Sequence, residues 1–185
     1  MSKRAIVKKT LENTRVWSID VAVKSRKLGI PKRRIEEITR TVLEMIDKEI
    51  APPFINEIFV QIIDDPEIAE INATYRNKPK PTDVLSFPTF QPKEISGKRK
   101  VVDTFQNSLG DLIISSSTTL RQAVKYEVTP EDELERLLVH GVLHLCGYDH
   151  EGVPPSEAQR MRRKEYKIRK ALQDLRVTGT TRKTR

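Results

Sequence analysis

The chain holds a single cysteine, Cys146, among 185 residues. That excludes an internal disulfide and fits a reducing compartment. No apolar run approaches the length of a membrane span, and the basic N-terminus, MSKRAIVKK, lacks the apolar stretch of a signal peptide. Internal repeats and long low-complexity blocks are also missing. The expectation from these absences is a soluble, cytoplasmic protein. Hydrophobic residues at 37% and charged residues at 32% can build a core with a well-solvated surface. A single domain is expected over residues 1–175, followed by a basic, flexible tail over 176–185.

Acids are in deficit. Lys and Arg outnumber Asp and Glu by 34 to 26, a net charge of +8, and an excess of this kind attracts polyanions, of which nucleic acid is the most abundant. The charge is also polarised. Lys3, Arg4, Lys8 and Lys9 open the chain, and Arg176, Arg182, Lys183 and Arg185 close it with no acid among the last ten residues. Between Pro155 and Leu175, seven basic residues (Arg160, Arg162, Arg163, Lys164, Lys167, Arg169 and Lys170) face three acids.

The hydrophobic pattern predicts strands mixed with helices, without strict alternation. Val16 to Val23 alternates loosely, as a first strand would. Pro31 reads as a first-turn proline for a helix to about Ile50, with Ile35, Ile38, Val42, Leu43 and Ile46 at helical spacing, stopped by Pro52 and Pro53. Ile58 to Ile63 is a short apolar strand, and Asp64-Asp65-Pro66 caps a helix carrying Ile68, Ile71 and Tyr75. In NKPKPTDVLSFP, Asn77 to Pro88, three prolines predict a stiff loop entering an edge or terminal strand. Residues 91–107 read as an exposed polar loop, and LGDLIIS, Leu109 to Ser115, as a strand. A helix over about Ser117 to Tyr126 follows. Thr129-Pro130-Glu131-Asp132 then opens another helix that ends at Gly147, and Ser156 caps a last basic helix. The pattern suits an α+β or mixed α/β layer fold.

Histidine is also scarce: the chain has three, all within eleven residues, in HGVLHLCGYDH. His140 and His144 stand four apart on the predicted helix, so both rings leave one face. Gly147 can turn the chain so that His150 returns as a third ligand. A lone histidine is more often a satisfied core or cap residue; three at this spacing point to a metal. Three neutral imidazoles leave a tetrahedral zinc one open position, the arrangement of catalytic sites, where bound water has its pKa lowered to about 7. Leu134, Leu138, Gly141 and Leu145 form a buried stripe beside them. Gly141 costs the helix roughly 1 kcal/mol relative to Ala, which hints at close approach of a neighbour or substrate. Cys146 is a candidate fourth ligand but fits better as a small filler. The spacing H-x-x-x-H-x-x-G-x-x-H is that of metzincin peptidases, yet Gly141 stands where they carry the general-base glutamate.

NATYRNKPKPTDVLSFP (72–88), LGDLIIS (109–115) and VHGVLHLCGYDH (139–150), with Glu157, Met161 and Glu165 downstream, together resemble the YbeY endoribonuclease family, the bacterial ribosomal RNA maturation factors. The resemblance spans about Val60 to Ile168. Its departures are the 91–107 loop, the basic tail, and Ser117 where a proline is common. It implies a mixed, mostly parallel four-stranded sheet packed with helices. It also implies a zinc-dependent, single-strand-specific endoribonuclease acting on ribosomal RNA, including the small-subunit 3′ end, and in ribosome quality control. His140, His144 and His150 are the zinc ligands it implies, with Arg76 catalytic. Chemically this is consistent: a guanidinium pairs two phosphate oxygens at once, and with a zinc ion it stabilises the charge of a phosphodiester being cleaved. Lys78 and Lys80 extend a phosphate track. Asp83 and Ser86 suit turn and strand hydrogen bonds, Asp149 an orienting carboxylate, a base or a cap, and Tyr148 packing or base stacking. The alternatives are another zinc hydrolase, a peptidase or amidase, and a non-catalytic ribosome-assembly factor with structural zinc.

Overall fold

The computed structural model describes residues 16–46, 55–89 and 107–181. The expected loop at 91–107, the run from 47 to the Pro52-Pro53 stop, the basic N-terminus and residues 182–185 lie outside the described residues, apart from Asn107 at the loop's end. Among the described residues, four strands are joined by five helices: β1 (Ser18–Val23), α1 (Lys32–Ile46), β2 (Glu57–Ile63), α2 (Asp65–Arg76), β3 (Val84–Pro88), β4 (Ser108–Ser115), α3 (Ser116–Lys125), α4 (Pro130–Leu145) and α5 (Pro155–Thr181). The strand order is β1-β2-β4-β3. β1, β2 and β4 run parallel, and β3 lies antiparallel on the β4 edge. The sheet is therefore mixed and mostly parallel.

Parallel strands need both faces covered, and the side chains divide accordingly. Ile58, Val60 and Ile62 of β2 and Leu109, Leu112 and Ile114 of β4 join one large core with α1, α4 and α5. Ile63, Ile68 and Leu85 form a smaller cluster with Ile71, Phe87 and Ile113, so α2 covers the opposite face. The edge position of β3 fits its terminal Pro88, since Pro has no N–H to donate to a ladder.

α4 is the central helix, packed against β3, β4, α1, α3 and α5. The predicted stripe is buried, but so are Leu137, Val139, Val142 and Leu143, all with no measurable exposure. The stripe reading underestimated it because a helix enclosed by neighbours has no dry and wet face to separate. Its N-terminus is a full capping box: Thr129 accepts from Asp132 N–H, and the Asp132 carboxylate accepts from Thr129 N–H.

At α5, Ser156 is not the cap. The helix starts at Pro155, and the Pro154 carbonyl accepts from Glu157 and Ala158. Proline suits that first position because it brings no orphan N–H. The helix runs on to Thr181, past Arg176. Among the described residues no helix is long and apolar enough to cross a membrane.

Candidate metal centre

One cleft of about 960 Å³ opens between the C-terminal half of α4, strand β3 and the end of α2. All four predicted site residues, Arg76, His140, His144 and His150, line it. The histidine ligand atoms lie within 4.8 Å of one another, and this group can hold a metal ion. Local chain geometry brings them together. His140 and His144 are one turn apart on α4, the helix closes at Cys146, and Gly147, at φ 80°, turns the chain back. Asp149 then accepts from the His150 N–H at 2.7 Å and the Glu151 N–H at 3.0 Å, holding the returning loop in a tight turn.

The ring orientation tests whether a cation belongs there. His140 Nε2 faces His144 Nε2 at 3.2 Å. Tetrahedral zinc with Zn–N bonds of 2.0–2.1 Å sets its nitrogens about 3.4 Å apart, so the spacing fits. The outer nitrogens face carboxylates: His140 Nδ1 is 3.6 Å from Glu165 Oε2, and His144 Nδ1 is 3.9 Å from Asp149 Oδ1. Carboxylates there favour protons on Nδ1 and leave lone pairs on both Nε2 atoms, which repel unless a cation lies between them. The buried Nδ1 of His150 has no hydrogen-bond partner among the described residues.

The electrostatics agree. Burial, then the neighbouring His140 and His150, push His144 down from 6.5 to about 4, so its ring is neutral and able to ligate at pH 7. Burial would raise the Glu165 carboxyl, but contact with His140 and the charges of Arg136 and Arg169 outweigh it, and the pKa falls. Asp149 is also lowered: burial opposes this, and the backbone N–H groups of Glu151 and His150 with the His144 charge overcome it.

Arg76 lines the same cleft, at the last position of α2. Asn77 adopts the left-handed conformation (φ 54°), a C-cap, and buried Asn72 donates from Nδ2 to the Lys80 carbonyl at 2.8 Å. The proline-rich loop is thereby tied to the helix that carries Arg76, whose guanidinium pairs with Glu151 at 3.2 Å. Tyr75 is 70% exposed at the rim, edge-on to Phe87 at 5.1 Å between ring centres.

Three residues escaped sequence reasoning. Glu165 was noted only as part of the resemblance, not as a partner of His140. Arg136, one turn before His140, also lines the cleft and bonds Glu133 at 2.6 Å and Asp83 at 3.4 Å. Its 136-140-144 spacing was the available signal. Tyr75 was read only as a helix position. Gly141 does face a close neighbour, and that neighbour is protein: an added Cβ would meet Leu112 Cδ2 at 2.7 Å and Ser86 Oγ at 3.3 Å. Asp83 and Ser86 hydrogen-bond as expected, Asp83 accepting from Val84 N–H at 2.9 Å and Gln122 at 3.1 Å. Cys146 packs against the core.

A mixed sheet under a central helix that ends in three converging imidazoles defines an α+β protein with a histidine cluster able to hold a metal ion. The family described as Endoribonuclease YbeY matches residues 20–173, and the chain belongs to that family. It is 42% identical over 131 residues to the endoribonuclease YbeY of Aquifex aeolicus, covering 71% of this chain and 77% of that one. With the Thermodesulfovibrio yellowstonii protein of the same name it shares 37% over 161 residues, covering 82% and 94%. The solution structure of TM1509 from Thermotoga maritima has a similar fold, with TM-score 0.51 and 23% identity, covering 85% of this chain and 93% of that one.

Proposed function

We propose that this protein is a zinc-dependent endoribonuclease that cuts single-stranded RNA. His140, His144 and His150 are its metal ligands and Arg76 its catalytic cation. The observation that carries this reading is that three converging imidazoles and an arginine line one cleft. The names of the relatives support the same chemistry.

A zinc ion on the three rings supplies Lewis acidity and an activated water. The remaining work belongs to side chains. Glu165 holds the His140 ring through Nδ1, and Asp149 faces His144 in the same way. Arg76 exchanges its exposed partner Glu151 for the scissile phosphate and pairs two of its oxygens as negative charge builds. Tyr75 offers an exposed ring beside it on which an unpaired base can stack. Lys78 and Lys80 lie on the loop that continues from Arg76, along the path of neighbouring phosphates. We further infer ribosomal RNA of the small subunit, including its 3′ end, as the cytoplasmic substrate, in processing and in ribosome quality control.

The test uses zinc-loaded protein and single-stranded RNA. His144→Ala should abolish cleavage, and Arg76→Ala should lower kcat by about 10²–10³-fold, the range for removing one donor to a charged transition state. Equal cleavage by all three preparations would point to a contaminating nuclease and sink the assignment.

A further inference from the structure

We propose that the outer face of α5 is a second RNA-binding groove, which takes the single strand as it leaves the metal cleft. This rests on the endoribonuclease reading and extends it to the length of RNA engaged. A second depression, of about 680 Å³, lies along α5 and is lined by five cations, two tyrosines and a glutamine, with no acid. Tyr148 belongs to both depressions: one wall of the metal cleft is also a wall of the groove. A strand passing over Tyr148 therefore moves from one directly into the other.

The composition separates this face from an ordinary solvated helix surface. On α1 the exposed charges are interleaved, with Lys32 beside Glu36 and Arg33 beside Glu37. On α5, Arg162, Arg163 and Lys167 are exposed and have no acidic partner among the described residues. Uncompensated cations along one face give up little when a phosphate arrives and release counterions from the RNA. Tyr166, 68% exposed between them, presents a ring to a base, and the Arg160 guanidinium lies over the Tyr148 ring at 4.5 Å. Cations interleaved with an exposed tyrosine, and a second, half-buried one at the junction with the metal cleft, match single-stranded nucleic acid, whose bases are free to stack. A membrane surface fits poorly, because the apolar side of α5 (Met161, Ile168 and Leu172) is already buried in the core.

The experiment compares the full-length protein with an Arg162→Ala/Arg163→Ala/Lys167→Ala variant and with Tyr166→Ala. Binding is followed by fluorescence anisotropy and cleavage by kcat/KM, on single-stranded RNAs of about 4 and about 16 nucleotides, sizes that bracket single-strand binding sites. Circular dichroism confirms that each variant folds. On the long RNA the triple variant should lose roughly tenfold or more in affinity and in kcat/KM. Its log K against log[salt] slope should shrink by about 2, as expected for three lost phosphate contacts on a single strand. Tyr166→Ala should lose at least about fivefold, the lower end of base stacking. The short RNA should be cut equally by all proteins. Unchanged binding of the long RNA by the triple variant overturns the groove. So does an equal loss on both RNAs, which would place the effect at the metal site. Lost binding to polyglutamate with RNA binding intact also overturns it, in favour of an acidic protein partner. If the unaltered protein cuts neither RNA, the nuclease reading falls separately, and the anisotropy comparison still decides the groove.

Discussion

Gly141 decides a question of chemistry through packing. A glutamate there would make the helix resemble a peptidase helix, yet the residue is wedged against Leu112 of β4 and Ser86 of β3. The missing carboxylate therefore follows from how closely the central helix approaches the sheet. For Gly141→Ala the gain in helix propensity, about 1 kcal/mol, opposes the shift forced on the Leu112 methyl, and we expect a net change under about 1 kcal/mol. Gly141→Glu has to bury a longer, charged side chain in the same gap, and should destabilise by more than about 3 kcal/mol with no gain of peptidase activity. Urea denaturation of both variants checks this; a glutamate variant as stable as the parent would refute it. Arg136 makes a related point, since its guanidinium offsets Glu133, which is 2% exposed, and also reaches Asp83. Removing that cation would strand a buried acid, so Arg136 serves the fold as well as the cleft.

Helix ends were the most legible elements. Asp64 before Asp65-Pro66 and Thr129 before Pro130 both cap as read, because a cap is a contact among near neighbours in sequence. What the local pattern could not contain is the second use of the Asp64 carboxylate. It also accepts from Lys27, on the β1–α1 connection, and from Ser117, at the start of α3, and so ties three connections together. Ser117, a departure from the family pattern, thus has a structural role here. These hydrogen bonds from Lys27 and Ser117, with the backbone N–H of Asp65, hold the Asp64 pKa at about 2 against its usual 3.8. A depressed folded-state pKa contributes stability that is fully present above about 3.8 and is lost as pH falls through about 2. Asp64→Asn should keep the cap and remove that step from the stability curve between pH 4 and 2. Superimposable acid limbs for variant and parent would contradict the linkage. The start of α5 was misread for a corresponding reason: serine is the commoner cap, and the Pro154-Pro155 pair made one unnecessary.

For the molecule as a whole, the site was legible as far as it was local. His140, His144 and His150 lie within eleven residues, so their convergence follows from one helix and one turn. Glu165, and the pairing of Tyr75 with Phe87, depend on how distant elements pack, and no spacing encodes that. The fold class was readable from the element order and the mixed, mostly parallel sheet from the family resemblance, but the β1-β2-β4-β3 order depends on pairing between distant strands that no local pattern encodes. The cluster also has a global thermodynamic signature. With His144 at about 4 when folded and 6.5 otherwise, the metal-free protein keeps its full stability above about pH 6.5. It should lose about 3 kcal/mol as pH falls to 4, because the unfolded chain binds the proton more readily. Zinc at a hundredfold excess over its Kd should add about 2.7 kcal/mol at pH 7, an increment that His150→Ala removes. Chemical denaturation at several pH values, with and without zinc, checks both, and a flat pH profile for the metal-free protein would refute the first. The last helix gives the centre a timetable as well as a shape. Glu165 steadies His140, and Arg176 bonds Asp132 and Glu135 near the start of α4. A chain still emerging from the ribosome that makes it would expose all three histidines before either support had been translated. The histidine cluster therefore gains its supports only once α5 has been made, after the strands and helices that carry the three rings.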